Sequence, residues 1–331
     1  MKKLLTSLAA ATVLTAGAAQ AQDISPAVVF DMGGKFDRSF NEGIYTGVER
    51  FREETGIDYA EFEVTNESQR EQALRRMARR GADIVIAVGF AQAPALEVVA
   101  REFPDTKFTL IDMVVDLPNV QSVIFKEQEG SFIVGMLAAL ASESDAVGFV
   151  GGMDIPLIRK FACGYEQGVH HVDPDMEVYQ NMTGTTPSAW NDPSRGGELA
   201  RSQFDRGADV VYAAAGGTGI GVYQAAEEAG KLAIGVDSNQ NYLHPGTMLT
   251  SMLKRVDVAA YEAYQSTLDG TWESGIKVLG LAEEGVGWAL DEHNESLITP
   301  EMIAAVDAAT AAIIGGEIEV VDYTAANECA Y

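Results

Sequence analysis

The sequence predicts an α/β protein of two similar lobes, each built on a parallel β-sheet with helices on both faces. From residue 27 onward, strand-like apolar runs alternate with amphipathic helical patterns. The strand candidates are apolar nearly throughout, which is typical of parallel strands that are buried on both faces. The segment RRGADIVIAVG at residues 79–89 returns as DRGADVVYAAAGG at residues 205–217. The two copies are offset by 126 residues, as two α/β lobes in tandem would be. A chance similarity between common α/β patterns is the alternative.

Each strand candidate is a short apolar run that is bounded by polar residues or glycine. In chain order the strand candidates include AVVFDM, DYAEFEV, DIVIAVG, KFTLIDM, DAVGFVGG, DVVYAAAGG and LAIGVD. Each helix candidate carries apolar residues three and four positions apart. In chain order the helix candidates include EGIYTGVERFREE, SQREQALRRMARRG, QEGSFIVGMLAALASES, RGGELARSQFDRG and VYQAAEEAGK. In both copies of the repeat a glycine caps the end of a helix, and an aspartate then precedes the buried strand.

The first 21 residues have the features of an export signal. Lys2 and Lys3 form a basic start, LLTSLAAATVLTAGA is apolar, and Ala19-Gln20-Ala21 fits a cleavage site. An N-terminal membrane anchor is the alternative, but the apolar run is short and ends at the cleavage site. The residue directly after that site is not a cysteine that could carry a lipid, and no later segment has the ~20 apolar residues that a membrane span needs. We therefore expect a non-lipidated protein of the periplasm.

Charge and cysteine content restrict the partners and the chemistry of the chain. The formal net charge is −26 at pH 7, which repels nucleic acids and anionic lipids, so neither is expected as a partner. The two cysteines, Cys163 and Cys329, lie in the middle of the chain and near its C-terminus. An oxidising compartment permits a disulfide between them, and two unrelated free thiols are the alternative.

The common catalytic and cofactor motifs are absent from the sequence. In the segment AGGTGIGV, Gly217 and Gly219 fit a dinucleotide fingerprint, but Val222 occupies the third glycine position. There is neither a Walker lysine nor a G-x-S-x-G elbow, and the four histidines lack metal-ligand spacing. We therefore expect no cofactor, no metal and no catalysis, and a ligand-binding function remains.

Residues suited to ligand binding stand at the ends of the strand candidates. Ligands of open parallel sheets lie beyond the carboxyl ends of the strands, where the sequence has Asp31, Asp112 and Asp237. Helix capping is the alternative role for each aspartate. Trp190 stands in the polar loop TTPSAWNDPSRGG, where burial against its own lobe is the alternative. The full set of aromatic candidates for the cleft is Phe40, Phe90, Phe125, Phe161 and Trp190.

The sequence resembles the basic membrane protein (BMP) family of ABC-transporter substrate-binding proteins, whose best-understood members are purine nucleoside receptors. The motifs that carry the resemblance lie in order between Val28 and the region of Val256. They are FDMGGKFDRSFNEG, IFKEQEGSFIVG, IPLIRKFACGYEQGV, WNDPSRGGELA, AAAGGTGIG, IGVDSNQ and TSMLKRVD. Each motif is weak by itself, and their common order makes the set specific.

The resemblance implies a type I periplasmic-binding-protein fold, in which two Rossmann-like lobes are joined by a three-strand hinge. Lobe one would comprise residues 22–125 and 255–275, and lobe two residues 126–254 and 276–331. The family's function implies a monomeric receptor, not an enzyme, that captures a purine nucleoside and delivers it to an ABC permease. A free purine base or another flat heterocycle such as a flavin is the alternative ligand. A nucleoside hydrolase is the enzyme alternative.

The resemblance also implies how the ligand would be stacked. Phe40 and Trp190 would lie on opposite faces of the purine, one from each lobe. The family often has phenylalanine where Trp190 stands, and the larger indole leaves the preferred ligand open. Gly216 would let the backbone approach the ligand.

Polar roles follow from the same resemblance. Asp31, Asn41 and Asp112 would form hydrogen bonds with the base edge or the sugar. Asp237 and Lys254 would hold the ribose hydroxyls, as acceptor and donor on neighbouring oxygens. An internal ion pair is the alternative role for Asp237 and Lys254.

Overall fold

The computed structural model describes residues 24–329. The predicted export signal, residues 1–21, lies outside the described residues. Residues 24–329 form an α/β structure with two six-stranded sheets, which confirms the predicted fold class. Among residues 24–329, no helix is both long enough and apolar enough to cross a membrane.

Each sheet is almost entirely parallel. The strands are β1 (Pro26–Phe30), β2 (Ala60–Glu63), β3 (Ile84–Ala87), β4 (Lys107–Ile111), β5 (Val120–Phe125), β6 (Ala146–Met153), β7 (Glu177–Gly184), β8 (Val210–Ala214), β9 (Leu232–Asp237), β10 (Met248–Lys254), β11 (Gly275–Leu279) and β12 (Val286–Trp288). The first sheet has the order β11-β5-β4-β3-β1-β2, and the second has the order β12-β10-β9-β8-β6-β7. Only β12 runs antiparallel to its neighbour, β10. The two orders are equivalent strand by strand, as the sequence repeat predicts.

Helices connect the strands and cover the sheets. They are α1 (Phe40–Thr55), α2 (Arg70–Arg79), α3 (Ala93–Glu102), α4 (Glu127–Ala141), α5 (Pro156–Val172), α6 (Pro193–Asp205), α7 (Gly219–Ala229), α8 (Val256–Leu268), α9 (Pro300–Ile314) and α10 (Tyr323–Ala326). Strand β1 illustrates how both faces are buried. Val28 and Phe30 belong to the core that includes residues of α1 and α8. Ala27 and Val29 point to the other face, into the core with α2 and α3. Alternate residues of one strand thus serve two apolar layers.

All seven strand candidates named from the sequence are strands, and all five helix candidates are helices. The apolar pattern does not single out β5, β7, β10, β11 or β12. The two edge strands β7 and β11 are mostly exposed or half-buried, so they lack a continuous apolar run. Buried hydroxyl groups interrupt the pattern in β5 and β10, where Ser122 accepts a bond from Val115 N and Thr250 donates to Ala289 O.

The chain passes between the two sheets three times. It leaves the first sheet after Phe125, returns after Lys254 and crosses again after Leu279. β11 spans the predicted lobe boundary at residue 275, and it pairs with β5 along its whole length. The lobe boundaries inferred from the resemblance stay a prediction.

The C-terminal segment is tied to α5. Cys163 and Cys329 form a disulfide, which decides between the two alternatives that the sequence leaves open. Gln167, one turn further along α5, bonds both backbone groups of Val321, at 2.8 Å and 3.1 Å. These contacts hold the end of the chain on the second sheet's side of the molecule.

Candidate functional site

A cleft opens at the carboxyl ends of strands from both sheets. Its empty volume is about 640 Å³, including the open solvent at its mouth. All eight residues predicted for the ligand site line this one cleft: Asp31, Phe40, Asn41, Asp112, Trp190, Gly216, Asp237 and Lys254. The structure therefore brings the predicted residues of both lobes together at a single place.

Two aspartates hold equivalent places in the two sheets. Asp112 follows β4, and Asp237 ends β9. Both have a left-handed backbone, with φ values of 74° and 64°, a conformation that is uncommon outside glycine and that aspartate tolerates. Burial raises the pKa of each carboxyl group to about 6. The equivalent strand ends therefore present two buried acids to the cleft.

Lys254 is paired with acids at the inner end of the cleft. Its Nζ lies 2.7 Å from Asp112 Oδ1 and 2.9 Å from Glu127 Oε1. Burial alone would lower the pKa of Lys254, but Asp112, Glu127 and Asp237 together raise it above its ordinary value. The ammonium group therefore stays charged. Its direct ion pairs are with Asp112 and Glu127. The structure therefore does not contain the Asp237–Lys254 ion pair that was the alternative role for these two residues.

Three phenyl rings surround this ammonium group. The ring centroids of Phe40, Phe125 and Phe161 lie 5.3, 5.1 and 5.5 Å from Lys254 Nζ. Aromatic faces carry partial negative charge, so all three rings attract the cation. Phe40 also belongs to the predicted stacking pair. The charge of Lys254 and one aromatic wall of the cleft are therefore neighbours.

A buried chain of alternating charges leads away from Lys254. Glu127 Oε2 lies 2.9 Å from Lys160 Nζ, and Lys160 Nζ lies 3.4 Å from Asp322 in the C-terminal segment. Lys160 also donates to the carbonyl oxygen of Phe125 at 2.7 Å. Burial would raise the pKa of Glu127, but the two lysines lower it overall. Each lysine at the inner end of the cleft thus has two acidic partners.

Asp31 lies at the end of β1 and is held by Arg70. The Nε and Nη2 atoms of Arg70 are each 3.1 Å from Asp31 Oδ1. Burial raises the pKa of Asp31, and the guanidinium group opposes that effect. The predicted alternative, helix capping, does not apply to Asp31, because its side-chain partner is an arginine from α2.

The loop between β1 and α1 is shaped by Asp37. Its carboxylate accepts bonds from the backbone N–H groups of Ser39, Asn41 and Glu42 and from Asn41 Nδ2, at 2.9 to 3.1 Å. These bonds satisfy donors at the start of α1. They also fix Asn41, whose buried Oδ1 has no hydrogen-bonding partner among the described residues. That oxygen can accept a hydrogen bond from a ligand.

The indole of Trp190 rests on a glycine. Trp190 ends a short 3-10 turn, Pro187–Trp190, and is half-buried. A Cβ atom added to Gly152, in β6, would lie 2.1 Å from Trp190 Cζ3. Gly216 has a φ of 57° and lies beside Trp190, since an added Cβ would be 3.3 Å from the Trp190 carbonyl oxygen. Trp190 therefore packs on its own lobe with one face and lines the cleft as well, so both alternatives hold in part.

Sequence reasoning missed three residues that shape the site. Asp37 and Glu127 stand inside two of the quoted motifs, FDMGGKFDRSFNEG and IFKEQEGSFIVG. The available signal was the position of each acid, near the start of a helix, where carboxylates favour the free backbone N–H groups. Arg70 has no such signal, because arginine is common on the exposed face of a helix. Phe90 and Phe161, named as aromatic candidates, do line the cleft.

One group of possible metal ligands is present among residues 24–329. Side-chain atoms of Asp291, Glu292 and His293 lie within 4.8 Å of one another. None of the three lines the cleft, and Asp291 already accepts bonds from Asn239 and Asn241. This surface cluster has no connection to the site described above.

Comparisons with known proteins identify the family. The family model for ABC transporter substrate-binding proteins of the PnrA-like type, Bmp, matches residues 24–323. A lipoprotein of Pyrococcus horikoshii is 35% identical over 285 residues, which span 82% of this chain and 70% of that protein. The ABC transporter nucleoside-binding protein BmpA of Lactococcus lactis is 30% identical over 321 residues, which span 90% and 89% of the two chains.

A solved structure supports the same assignment. An ABC transporter solute-binding protein from Aeropyrum pernix K1 has a TM-score of 0.83 and 32% identity, over 90% of this chain and 93% of that one. This similarity confirms the type I periplasmic-binding-protein fold predicted from the resemblance. Because the family model covers most of the chain, the protein belongs to the Bmp family of ABC-transporter substrate-binding proteins.

Proposed function

We propose that the protein captures a purine nucleoside between its two lobes and delivers it to an ABC permease. The observation that carries this proposal is the convergence of all eight predicted ligand residues in one cleft. The name of the L. lactis relative, a nucleoside-binding protein, supports the same class of ligand.

Stacking between two aromatic side chains would hold the base. Phe40 comes from the start of α1 in one lobe, and Trp190 comes from the other lobe. Leu157, Ile158 and Phe161 add an apolar lining. Each stacked ring contributes about 1–3 kcal/mol, and the energy depends little on the identity of the base. This arrangement suits a flat purine better than a sugar alone.

Asp237 and Lys254 would bind the ribose. Asp237 Oδ2 accepts a bond from Ser39 Oγ, and no described residue bonds its Oδ1, which can accept a bond from a ribose hydroxyl. The ammonium group of Lys254 has three donors and two acidic partners, so one donor can reach a ribose oxygen. A free base would leave both groups unused. We therefore favour a nucleoside over a base.

The base edge would face Asp31 and Asn41. Asn41 Oδ1 is buried and lacks a partner among the described residues, and an unpartnered buried acceptor costs about 1–3 kcal/mol. Purine N–H groups are suitable donors for this oxygen and for the carboxylate of Asp31. Arg70 fixes the orientation of that carboxylate.

Closure of the lobes would couple binding to transport. Ser238 Oγ donates to Ser39 O at 3.0 Å, and Gln240 Nε2 donates to Arg38 O at 2.8 Å, so the lobes touch beside the cleft. A ligand that contacts both lobes stabilises the closed state, because only that state makes both sets of contacts. The permease would then recognise the closed surface.

We further propose that the protein is a periplasmic monomer without a lipid anchor. Residues 1–21 fit a cleavable export signal, and the residue directly after the cleavage site is Gln22 and not a cysteine. Three archaeal relatives are named lipoproteins, so this part of the proposal needs its own test. The intact mass of protein isolated from the cell envelope should equal the chain from Gln22 onward. A mass larger by a diacylglycerol group would overturn the absence of a lipid anchor.

Thermal unfolding against a panel of ligands tests the proposed ligand. The panel contains adenosine, guanosine, inosine, their free bases, uridine, riboflavin and several sugars. A ligand at about a thousand times its dissociation constant should stabilise the fold by ~4 kcal/mol. Stabilisation by purine nucleosides alone is the expected result. Stabilisation by free bases alone would contradict the proposed binding of ribose by Asp237 and Lys254. A response only to riboflavin or sugars would contradict a nucleoside as the ligand.

Chromatography of the same mixtures tests the enzyme alternative. Inosine incubated with the protein should remain intact, because Asp31, Asp112 and Asp237 stand at different strand ends, and the first two are already paired with arginine and lysine. Release of hypoxanthine above the level of a protein-free control would favour a nucleoside hydrolase.

A further inference from the structure

A second chamber opens beside the cleft and is continuous with it. The two share Asp31, Met32, Phe90 and Trp190. The empty volume of the chamber is about 640 Å³, the same as that of the cleft, and both include the open solvent at their mouths. The chamber therefore provides room for a part of the ligand that extends beyond the stacked ring.

The chamber lies at the end of the cleft that is remote from the predicted ribose site. Asp112, Asp237 and Lys254 line the cleft but not the chamber. Asp31, which lies beside the predicted base edge, lines both. A nucleoside whose ribose is held by Asp237 and Lys254 would therefore point its base edge towards the chamber.

Both lobes contribute polar groups to the chamber. One lobe provides Glu67 and Arg70, and the other provides Thr185 and Thr186. Arg70 is already paired with Asp31, so Glu67 is the second carboxylate against a single guanidinium group. This charge balance disfavours an anionic group and suits a neutral or cationic one.

Apolar side chains make up the rest of the chamber. They include Met153 and Pro187 in addition to the shared Met32, Phe90 and Trp190. A group that fits must therefore have an apolar stem and a polar tip. Short aminoalkyl and hydroxyalkyl chains have this character, whereas a phosphate does not.

We propose that this chamber binds a neutral or cationic substituent on the base edge, so that the protein accepts base-substituted purine nucleosides. The inference rests on the proposed function and on the orientation of the nucleoside within the cleft. It goes further because it assigns Glu67, Thr185 and Thr186 to ligand selection and names the class of modified nucleosides that the protein accepts.

Titration calorimetry with four ligands tests the chamber. The ligands are adenosine, an N6-aminoalkyl adenosine, an N6-carboxyalkyl adenosine and an adenosine that carries the same aminoalkyl chain at its 5′ position. We expect the N6-aminoalkyl compound to bind at least as tightly as adenosine. The N6-carboxyalkyl and 5′-substituted compounds should each bind at least about tenfold more weakly than the N6-aminoalkyl compound.

A variant that fills the chamber makes the test specific. Thr186→Tyr adds a ring on an exposed residue that lines the chamber but not the cleft. It should weaken binding of the N6-aminoalkyl compound at least about tenfold and leave the affinity for adenosine within about threefold of wild type. Ser194→Tyr is the control, because Ser194 is exposed at the start of α6 and lines neither space. It should leave both affinities unchanged.

The outcomes separate this inference from the proposed function. If adenosine binds and the N6-aminoalkyl compound binds at least about tenfold more weakly, the proposed nucleoside receptor stands. The proposed role of the chamber would then be overturned. Equal losses of both ligands in Thr186→Tyr, or tight binding of the 5′-substituted compound, would also overturn it. If no purine nucleoside binds, the proposed function fails and the chamber assignment fails with it.

Discussion

Lys254 Nζ lies 2.7 Å from Asp112 Oδ1 and so joins the end of β10 in one sheet to the residue that follows β4 in the other. Their side chains are only 2% and 6% exposed. Moving such charges out of water costs several kcal/mol for each ion unless partners compensate them. Glu127, 1% exposed, provides the second partner. The inner end of the cleft is therefore an ionic site that spans both lobes and in which Lys254 has two acidic partners.

Replacing Lys254 with methionine should destabilise the fold and abolish nucleoside binding. The substitution removes the ammonium group that Asp112 and Glu127 share, while both carboxyl groups stay buried. Removing one partner of a buried ion pair lowers the free energy of unfolding by about 3–5 kcal/mol. Urea unfolding at neutral pH measures the loss. Glu127 keeps Lys160 as a partner, so the double variant Lys254→Met/Asp112→Asn removes the charge that has lost its ion pair and should recover part of the stability. A double variant less stable than Lys254→Met would contradict this account of the pair.

Replacing Asp237 with asparagine should stabilise the fold at neutral pH and weaken nucleoside binding. Burial raises the pKa of Asp237 to about 6 from its ordinary value of 3.8. Between about pH 4 and pH 6 the folded state therefore binds a proton that the unfolded state does not, so this group favours folding more as the pH falls. Above that window the ionised carboxylate costs the folded state about 1–3 kcal/mol, which asparagine removes.

Unfolding free energies of wild type and Asp237→Asn across the pH range check the sign of this effect. The stability advantage of the variant should be largest at neutral pH and should vanish below about pH 3, where both states of the wild type are protonated. An advantage that does not change with pH, or a variant less stable at neutral pH, would contradict the prediction.

Replacing Trp190 with alanine should weaken nucleoside binding by about 1–3 kcal/mol through the loss of stacking. Titration calorimetry with the nucleoside of highest affinity is the measurement. Trp190→Phe restores an aromatic face and should recover most of the affinity. Unchanged binding in Trp190→Ala would remove Trp190 from the site.

Replacing Gly152 with alanine should weaken nucleoside binding, although the added methyl group would not contact the ligand. The added Cβ would lie 2.1 Å from Trp190 Cζ3, so the indole must move away from β6 and into the cleft. We expect at least about a tenfold loss of affinity and a changed tryptophan fluorescence spectrum. Gly184→Ala is the control, because its Cβ would meet only Ala189 Cβ at 3.7 Å. Equal effects of the two substitutions would argue against a role for the indole's position.

Replacing Cys329 with serine should lower the free energy of unfolding by about 2–5 kcal/mol. The disulfide with Cys163 closes a sequence separation of 166 residues, and a long loop loses much unfolded-state entropy when it is closed. Urea unfolding of the variant should match that of wild type in the presence of a reductant. A reductant that does not change the wild-type midpoint would contradict a stabilising disulfide.

Local patterns in the sequence were sufficient for the elements that contain regular apolar spacing. Strands such as β3 and β8 are continuous apolar runs, and a strand buried on both faces can be built from little else. β7 and β11 escaped the same reasoning because they are exposed edges, where burial does not select apolar residues. The eight cleft residues were identified from the resemblance to a family and from strand ends, which parallel topology gathers at one edge.

The sequence by itself determined the α/β class and the two similar halves, because both depend on local periodicity and on the order of strands, and the eight cleft residues were named from strand ends and from the resemblance to a family. Only the tertiary structure decided which charges are partners. Lys254 pairs with Asp112 and Glu127, Arg70 holds Asp31, and Cys163 bonds Cys329. These residues are far apart in the chain, and spacing along the sequence carries no information about distances that are set by the packing of two lobes.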